Sequence, residues 1–403
     1  VTNIYVKKFG GTSVGSFERI DAVADAIARA HFSGERQVLV LSAMAGETNR
    51  LYAMAANVDT VAPARELDML VTAGEQVSIA LMAMALHRRG VNARSLLGSQ
   101  VKVRTNSQFG RASIESVDTE LLTQLLDDGV VPVIAGFQGV DAAGEVTTLG
   151  RGGSDTTAVA VAAALNAAEC QIFTDVCGVF TTDPNIDPNA QKLDSISFEA
   201  MYEMARQGAK VLHPDSVACA RRHGVVLRVL SSFEPGSGTL IRFDEPDHTV
   251  SGIVGIAVSR AQGLVSVAGV LENPQAEVAL FQALCAAGID TDLVVQARAD
   301  RALAFTLSQG AIESVLAEVD KLAVVHALGE VHFEPSLAKV SLISTGKPAM
   351  AEVAMRVNEL LEAENIRVKL TSMSEIKLSV MIDEAHLQQA VRSLHRAFGL
   401  NKV

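Results

Sequence analysis

Through about the first 230 residues, short apolar runs alternate with longer stretches whose apolar positions recur at helical spacing. Val38-Leu39-Val40-Leu41, Val130-Val131-Pro132-Val133-Ile134 and Gln171-Ile172-Phe173 read as buried strands. Phe17 to His31, Val77 to His87, Glu115 to Asp127 and Thr156 to Leu165 read as helices. This alternation predicts an α/β domain in which helices sandwich a mostly parallel sheet. Ligands of such sheets bind where strand ends meet helix N-termini.

Ser231 to Gly252 breaks the pattern with Pro235, Gly236, Gly238, Pro246 and several charges, and reads as a linker. Beyond it the order becomes β-α-β-β-α-β, twice. The first copy runs through Leu264–Val270, Ala276–Ala286, Thr291–Gln296 and Ala302–Leu307, with a helix from Ile312. The second runs through Val340–Ser344, Ala351–Glu362, Val368–Ser372 and Lys377–Ile382, with a helix from Glu384. Both helices carry Ala-Glu-Val near their starts (Ala276-Glu277-Val278 and Ala351-Glu352-Val353). The duplication predicts two ferredoxin-like α+β modules. The expected organisation is a domain over 1–232, a linker over 233–252, and modules over 253–335 and 336–403.

Composition narrows the function. A chain of 403 residues exceeds what one core usually supports, and 49% hydrophobic with 20% charged residues describes a globular protein. A net charge of −12 argues against nucleic acid as partner. An acidic body still holds ATP where cations gather locally and a metal ion screens the phosphates. Cys170, Cys177, Cys219 and Cys285 show no metal or disulfide spacing and read as free thiols of a reducing cytosol. No signal peptide is apparent, and the longest apolar stretch, Ala158 to Leu165, falls short of the ~20 residues of a membrane span. The expectation is a cytoplasmic protein that engages no membrane.

Two segments carry the chemistry. Gly150-Arg151-Gly152-Gly153-Ser154-Asp155-Thr156-Thr157 packs small residues, a cation, hydroxyls and a carboxylate at a loop-to-helix junction. Ile4-Tyr5-Val6-Lys7-Lys8-Phe9-Gly10-Gly11-Thr12-Ser13-Val14-Gly15 ends an apolar strand in lysine, glycines and hydroxyls. Two such loops suggest two anionic reactants held together, and so phosphoryl transfer. Lys8 closes the first strand and can reach a phosphoryl group, whereas Lys7 reads as a solvated neighbour. Asp155, in a first helical turn, is either a helix-start acid or the group that positions Lys8. Glu75 either receives a substrate ammonium or favours its helix N-terminus by about 0.3–1 kcal/mol. Thr48 serves a ligand or an N-cap, and Lys210 is a phosphate ligand or a surface cation. Gly11-Thr12-Ser13-Val14-Gly15 matches a hydrolase nucleophile elbow, but only one strand precedes Ser13, and no Walker motif is present.

Together these segments resemble aspartate kinase, of the amino acid kinase family. Lys8-Phe9-Gly10-Gly11-Thr12-Ser13-Val14 is similar to its opening signature and Thr148-Leu149-Gly150-Arg151-Gly152-Gly153-Ser154-Asp155-Thr156 to its aspartate loop. Phe173-Thr174-Asp175-Val176 and Phe180-Thr181-Thr182-Asp183-Pro184 resemble its nucleotide segment, and Lys210-Val211-Leu212-His213-Pro214 its second phosphate lysine. The duplicated C-terminal region resembles tandem ACT modules, which bind amino acids for feedback control. The resemblance implies phosphorylation of L-aspartate to 4-phospho-L-aspartate, the entry to lysine, threonine and methionine. It implies Lys8, Asp155 and Lys210 as catalytic residues, and Ser42, Thr48, Glu75 and Arg151 around aspartate. ATP would lie against Lys8, Phe9, Gly10, Gly11, Thr174, Asp175, Phe180, Asp183 and Lys210, with Mg²⁺ carried on its phosphates rather than by protein ligands. A homodimer through the ACT modules and lysine or threonine as effector are also implied.

The chain departs from the pattern in places. Asn185 follows the Asp-Pro pair where the family commonly has arginine, and Cys177 stands at a position often aspartate. The effector turns read Glu272-Asn273-Pro274-Gln275 and Gly346-Lys347-Pro348-Ala349-Met350 instead of carrying the usual glycine, and Asp290 replaces an asparagine. Feedback is therefore expected to be weakened, altered or absent, unless these loops reach the same geometry another way. The competing readings are a kinase for another acidic amino acid, a catalytically silent amino-acid sensor, and a hydrolase using Ser13.

Overall fold

The computed structural model describes residues 3–243, 252–286, 293–297, 302–326, 328–345 and 349–401. The chain divides into two units. One comprises Val1–Phe180, Lys192–Arg206 and Lys210–Pro246; the other comprises Thr181–Gln191, Gln207–Ala209 and Asp247–Val403.

The strands of the first unit are β1 (Ile4–Phe9), β2 (Arg36–Leu41), β3 (Ala93–Leu96), β4 (Val103–Thr105), β5 (Ile114–Val117), β6 (Val131–Ala135), β7 (Gln138–Val140), β8 (Val146–Thr148), β9 (Glu169–Thr174), β10 (Ser195–Ser197), β11 (Leu227–Ser231) and β12 (Thr239–Arg242). Its helices are α1 (Phe17–Phe32), α2 (Glu47–Val58), α3 (Ala64–Val71), α4 (Ala73–His87), α5 (Glu120–Asp127), α6 (Gly153–Ala164), α7 (Phe198–Arg206) and α8 (Pro214–His223). Eight strands form one sheet in the order β10-β12-β11-β9-β1-β2-β6-β3, parallel except for the β11–β12 pair. Ile27 of α1 and Ile79, Met82 and Leu86 of α4 pack on Phe9, Leu39, Leu41 and Val133 of this sheet. A smaller sheet follows the order β5-β4-β7-β8.

Three local expectations fail for identifiable reasons. Glu115 to Val117 belongs to strand β5, not to a helix; Ile114 and Val117 are β-branched, and β5 pairs antiparallel with β4. The stretch read as linker contains β12, whose Thr239 side chain is buried and donates to the Leu193 carbonyl. The longest apolar helix is not the one around Ala158. Helices α3 and α4 run through Thr72, itself helical at φ −66°, as one apolar helix over Ala64–His87. That run has the length and composition to cross a membrane, yet half of its most apolar 18 residues are buried within the fold, with Ile79, Met82 and Leu86 against the large sheet.

The second unit holds β13 (Ile253–Ala268), β14 (Val294–Ala297), β15 (Ala302–Ser308), β16 (Val331–Ser344), β17 (Leu370–Met373) and β18 (Lys377–Asp383) in one antiparallel sheet, ordered β14-β15-β13-β16-β18-β17. Helices α9 (Pro274–Ala286), α10 (Ile312–Val325), α11 (Met350–Ala363) and α12 (Leu387–Ala397) cover it. The two modules share their long central strands. Val265 and Val267 of β13 pack with Leu280, Phe305 and Val315, whereas Ile253 and Ile256 of the same strand pack with Val357, Leu361 and Leu394. Ala261 at φ +52° and register shifts around Ser259 and Gln262 mark the change of module. The segment Thr181–Gln191 also joins the second core through Ile186, which is 1% exposed. Gln207 is buried there too: its carbonyl accepts from Ser259 Oγ and its Oε1 from Ser341 Oγ.

Candidate active site

A cleft of ≈ 360 Å³ opens at the carboxyl edge of the large sheet and is lined, among others, by Lys8, Ser42, Thr48, Glu75, Arg151 and Asp155. Six residues chosen from separate parts of the sequence thus meet in one place. Gly11 is the close-approach point of its wall, since a Cβ there would stand 2.9 Å from the Ala43 carbonyl oxygen.

Lys8 is delivered by β1 and Asp155 by the first turn of α6. Lys8 Nζ and Asp155 Oδ1 lie 2.5 Å apart, both mostly shielded from solvent. That oxygen makes no directed hydrogen bond, so the contact is an ion pair set by proximity. Helix α6 starts from Gly152, in the left-handed region at φ +74°. A Cβ on Gly152 would stand 2.3 Å from His213, so the segment carrying Lys210 packs directly on the Arg151 loop. Arg151 itself is exposed, with no hydrogen bond or ion pair among the described residues.

Glu75 lies in the first turn of α4 and is 3% exposed. The Ala43 N–H donates to its Oε1 at 3.0 Å, while Oε2 is buried without a partner among the described residues. Burial pushes its carboxyl up to about 7, a rise that the Ala43 N–H only partly opposes. A buried carboxylate oxygen with no donor beside a cleft suits a cationic group brought by a ligand. Thr48 is not an N-cap: Gly46, at φ +82°, occupies that position of α2. Ser42 and Glu75 stay joined through Ser78, whose hydroxyl contacts the Ser42 carbonyl at 2.7 Å.

The remaining candidates lie outside this lining. Thr174 ends β9, the strand beside β1, so it shares the sheet edge with Lys8, and its hydroxyl contacts Asp175. Phe180 forms a bridge with Lys192. Lys210 is exposed, with no ion pair among the described residues. The Phe9 ring is buried and stacked on Phe173 at 4.6 Å, so only its backbone reaches the edge, where its carbonyl accepts from Ser42 N–H. Asp183 belongs to the second unit, where its Oδ1 accepts from Asn185 through backbone and side chain at 2.9 and 3.0 Å. The residue at the departure from the family pattern therefore closes a turn on Asp183.

Two further readings change. Lys7 is buried, paired with Glu35 and donating to Gln37 at 2.9 Å, because its side of β1 is covered by structure. Ser13 is fully buried, and its hydroxyl contacts the Phe173 carbonyl and Ser232, so it is no exposed nucleophile. The described cysteines are all free, and burial pushes the Cys170 thiol far upward, which leaves it unreactive. Asp290 and Gly346-Lys347-Pro348 lie outside the described residues. Sequence reasoning missed Phe137, a cleft residue at φ +69° with no motif around it, and Asp68, an acid inside the apolar helix whose only signal was its place in that pattern.

Comparison with known proteins gives the family. Residues 3–231 match the amino acid kinase family and residues 340–398 an ACT domain. Aspartate kinase of Pseudomonas putida is 45% identical over 402 residues, covering 99% of this chain and 98% of that protein. Aspartokinase of Thermus thermophilus is 40% identical over 411 residues, covering 99% of each. Escherichia coli aspartokinase III in complex with aspartate and ADP, in its R-state, superposes with a TM-score of 0.80 at 28% identity, covering 98% of this chain and 99% of that one. The same enzyme with lysine and aspartate, in its T-state, gives 0.79 at 30% identity, with the same coverage. The chain belongs to the aspartate kinases of the amino acid kinase family.

Proposed function

We propose that this chain transfers the γ-phosphoryl group of ATP to the side-chain carboxylate of L-aspartate, giving 4-phospho-L-aspartate and ADP. The observation that carries the reading is a single cleft holding the Lys8–Asp155 pair, with a Glu75 oxygen and the Arg151 guanidinium that have no partner among the described residues. Glu75 receives the α-ammonium, and Arg151, with Ser42 and Thr48, the carboxylates. The acceptor carboxylate is already ionised near neutrality, so no general base is needed. The work is alignment of two anions and stabilisation of charge on the phosphoryl group. Asp155 keeps the Lys8 ammonium fixed, and Lys8 stabilises the transferring group. Lys210 serves the phosphates as the second cation, while Thr174, Asp175 and Phe180 take the nucleotide. Among the described residues no cluster of three metal-ligating side chains occurs. Mg²⁺ enters this reading on the phosphates of ATP, where it would supply charge neutralisation.

Lysine or threonine is the class of effector to test. The amides that start α9 are taken within the protein: Pro274 has no N–H, and Gln275 and Ala276 donate to Asn273 Oδ1 at 3.2 and 3.3 Å. An effector carboxylate would have to displace that cap, which favours weakened feedback through the first module. We further propose a cytoplasmic homodimer joined through the ACT modules, since ATP and free aspartate are cytoplasmic pools. ADP release measured with L-aspartate, with L-glutamate and with neither tests the acceptor. Strong dependence on aspartate supports the reading; preference for glutamate favours a kinase of another acidic amino acid, and ADP release with neither acceptor identifies a hydrolase.

A further inference from the structure

We propose that Asp68 is a positioning residue that fixes how far Arg151 stands from Glu75, and thereby sets the length of acidic amino acid the cleft accepts. The proposal rests on the reading of the cleft as an acidic amino acid site. Asp68 is 1% exposed on an apolar helical run, where a carboxylate is costly unless fully bonded. It has no cationic partner among the described residues. Its charge is met by the Gly110 N–H, at 3.0 and 2.9 Å from its two oxygens, the Thr148 N–H at 2.9 Å and the Thr148 hydroxyl at 2.7 Å.

These donors sit at the base of the Arg151 loop. The Thr148 carbonyl accepts from Ala112 N–H at 2.8 Å, which ties β8 to the same turn as Gly110. The Gly110 carbonyl oxygen in turn lies 3.2 Å from the place a Cβ would take at Gly150, the residue at φ +73° that begins the turn around Arg151. Asp68 thus holds both supports on which that turn rests.

The same helical run carries Glu75. Seven residues make two turns, a rise of about 10 Å with an angular offset of about 20°. Asp68 and Glu75 therefore issue from one face of one rod, on the stripe that continues through Ile79, Met82 and Leu86. Near the start of the run Asp68 is bonded to the base of the Arg151 loop, and two turns further along Glu75 presents the oxygen that meets the ammonium. The spacing between the two recognition points is built into the helix. An acceptor one methylene longer reaches one of them out of place.

The alternative is that Asp68 only satisfies buried amides and matters for stability alone. Asp68→Asn keeps the shape but turns one acceptor into a donor facing donors. The expected result is a KM for L-aspartate raised about tenfold or more, with KM for ATP within about twofold of wild type. The aspartate-to-glutamate ratio of kcat/KM should fall at least about threefold. Thr148→Val, which deletes one bond and leaves the backbone, should shift the same quantities less, and Thr148→Ser should restore them. If Asp68→Asn does not fold, the two Thr148 variants decide. A lowered melting temperature with unchanged KM values and ratio, or KM for both substrates rising together, overturns the proposal. Absence of any aspartate-dependent turnover by wild type overturns the reading of the cleft itself and the proposal with it.

Discussion

At the residue scale the telling group is Glu75. Burial raises its carboxyl to about 7 while one oxygen stays without a partner among the described residues. Only the ionised form attracts an ammonium, so kcat/KM for aspartate should rise about tenfold per pH unit below 7 and level off above it. Glu75→Gln should abolish that inflection and raise KM for aspartate about 10- to 100-fold, as for loss of a hydrogen bond to a charged group. The stability consequence has the opposite sense. The native state keeps its proton to higher pH than the unfolded chain, so stability is unaffected below about pH 4.5 and falls as pH rises through 7. Above pH 7 the penalty is about 3 kcal/mol at most, and chemical denaturation at pH 8 should find Glu75→Gln more stable than wild type, with no difference at pH 4.

At the scale of elements, the turn into α6 joins the acceptor loop to the phosphate-lysine segment. Gly152→Ala must hold φ near +74° and push against His213. The backbone term costs about 1 kcal/mol, and the overlap adds to it. Thermal unfolding should show a clear drop, accompanied by loss of kcat, and adding His213→Gly, which removes the Cβ that the new methyl would meet at 2.3 Å, should return the steric part only. This junction was legible in the sequence because glycines, an arginine and a carboxylate were contiguous there. The gathering of Ser42, Thr48 and Glu75 with Lys8 was legible only through the family resemblance, since their spacing along the chain says nothing of the sheet edge that unites them. Asp68 and Phe137 were not legible: one reads as a break in apolar periodicity, the other as an ordinary apolar residue. The β-α-β-β-α-β duplication was visible, but the strand Ile253–Ser259 was not assigned to it. Its partner, β16, comes some eighty residues later, and pairing at that range leaves no local pattern.

At the scale of the molecule, the second unit claims two pieces of chain from within the first. Thr181–Gln191, part of the segment that resembles the family's nucleotide motif, contributes Ile186 to the second core. Its Thr181 hydroxyl meets the buried His395 ring of α12 at 2.9 Å. A chain cut at 232 would leave Ile186 and Gln207 without their burial partners, so that fragment should be less soluble and unfold at lower temperature than the whole chain. The internally capped start of α9 makes a second prediction at this scale. Calorimetry with lysine, threonine and both together should show no micromolar binding; a micromolar site for either amino acid would contradict the weakened-feedback reading.

The central claim is tested most directly by trapping the product. With ATP, Mg²⁺, L-aspartate and hydroxylamine, the wild-type chain should form aspartyl hydroxamate, because hydroxylamine captures an acyl phosphate. Lys8→Ala should lower the rate about 10²- to 10³-fold, as for removal of one preorganised charge-stabilising group. A folded wild-type chain that forms no hydroxamate, or a Lys8→Ala variant that forms it at the wild-type rate, would contradict the account.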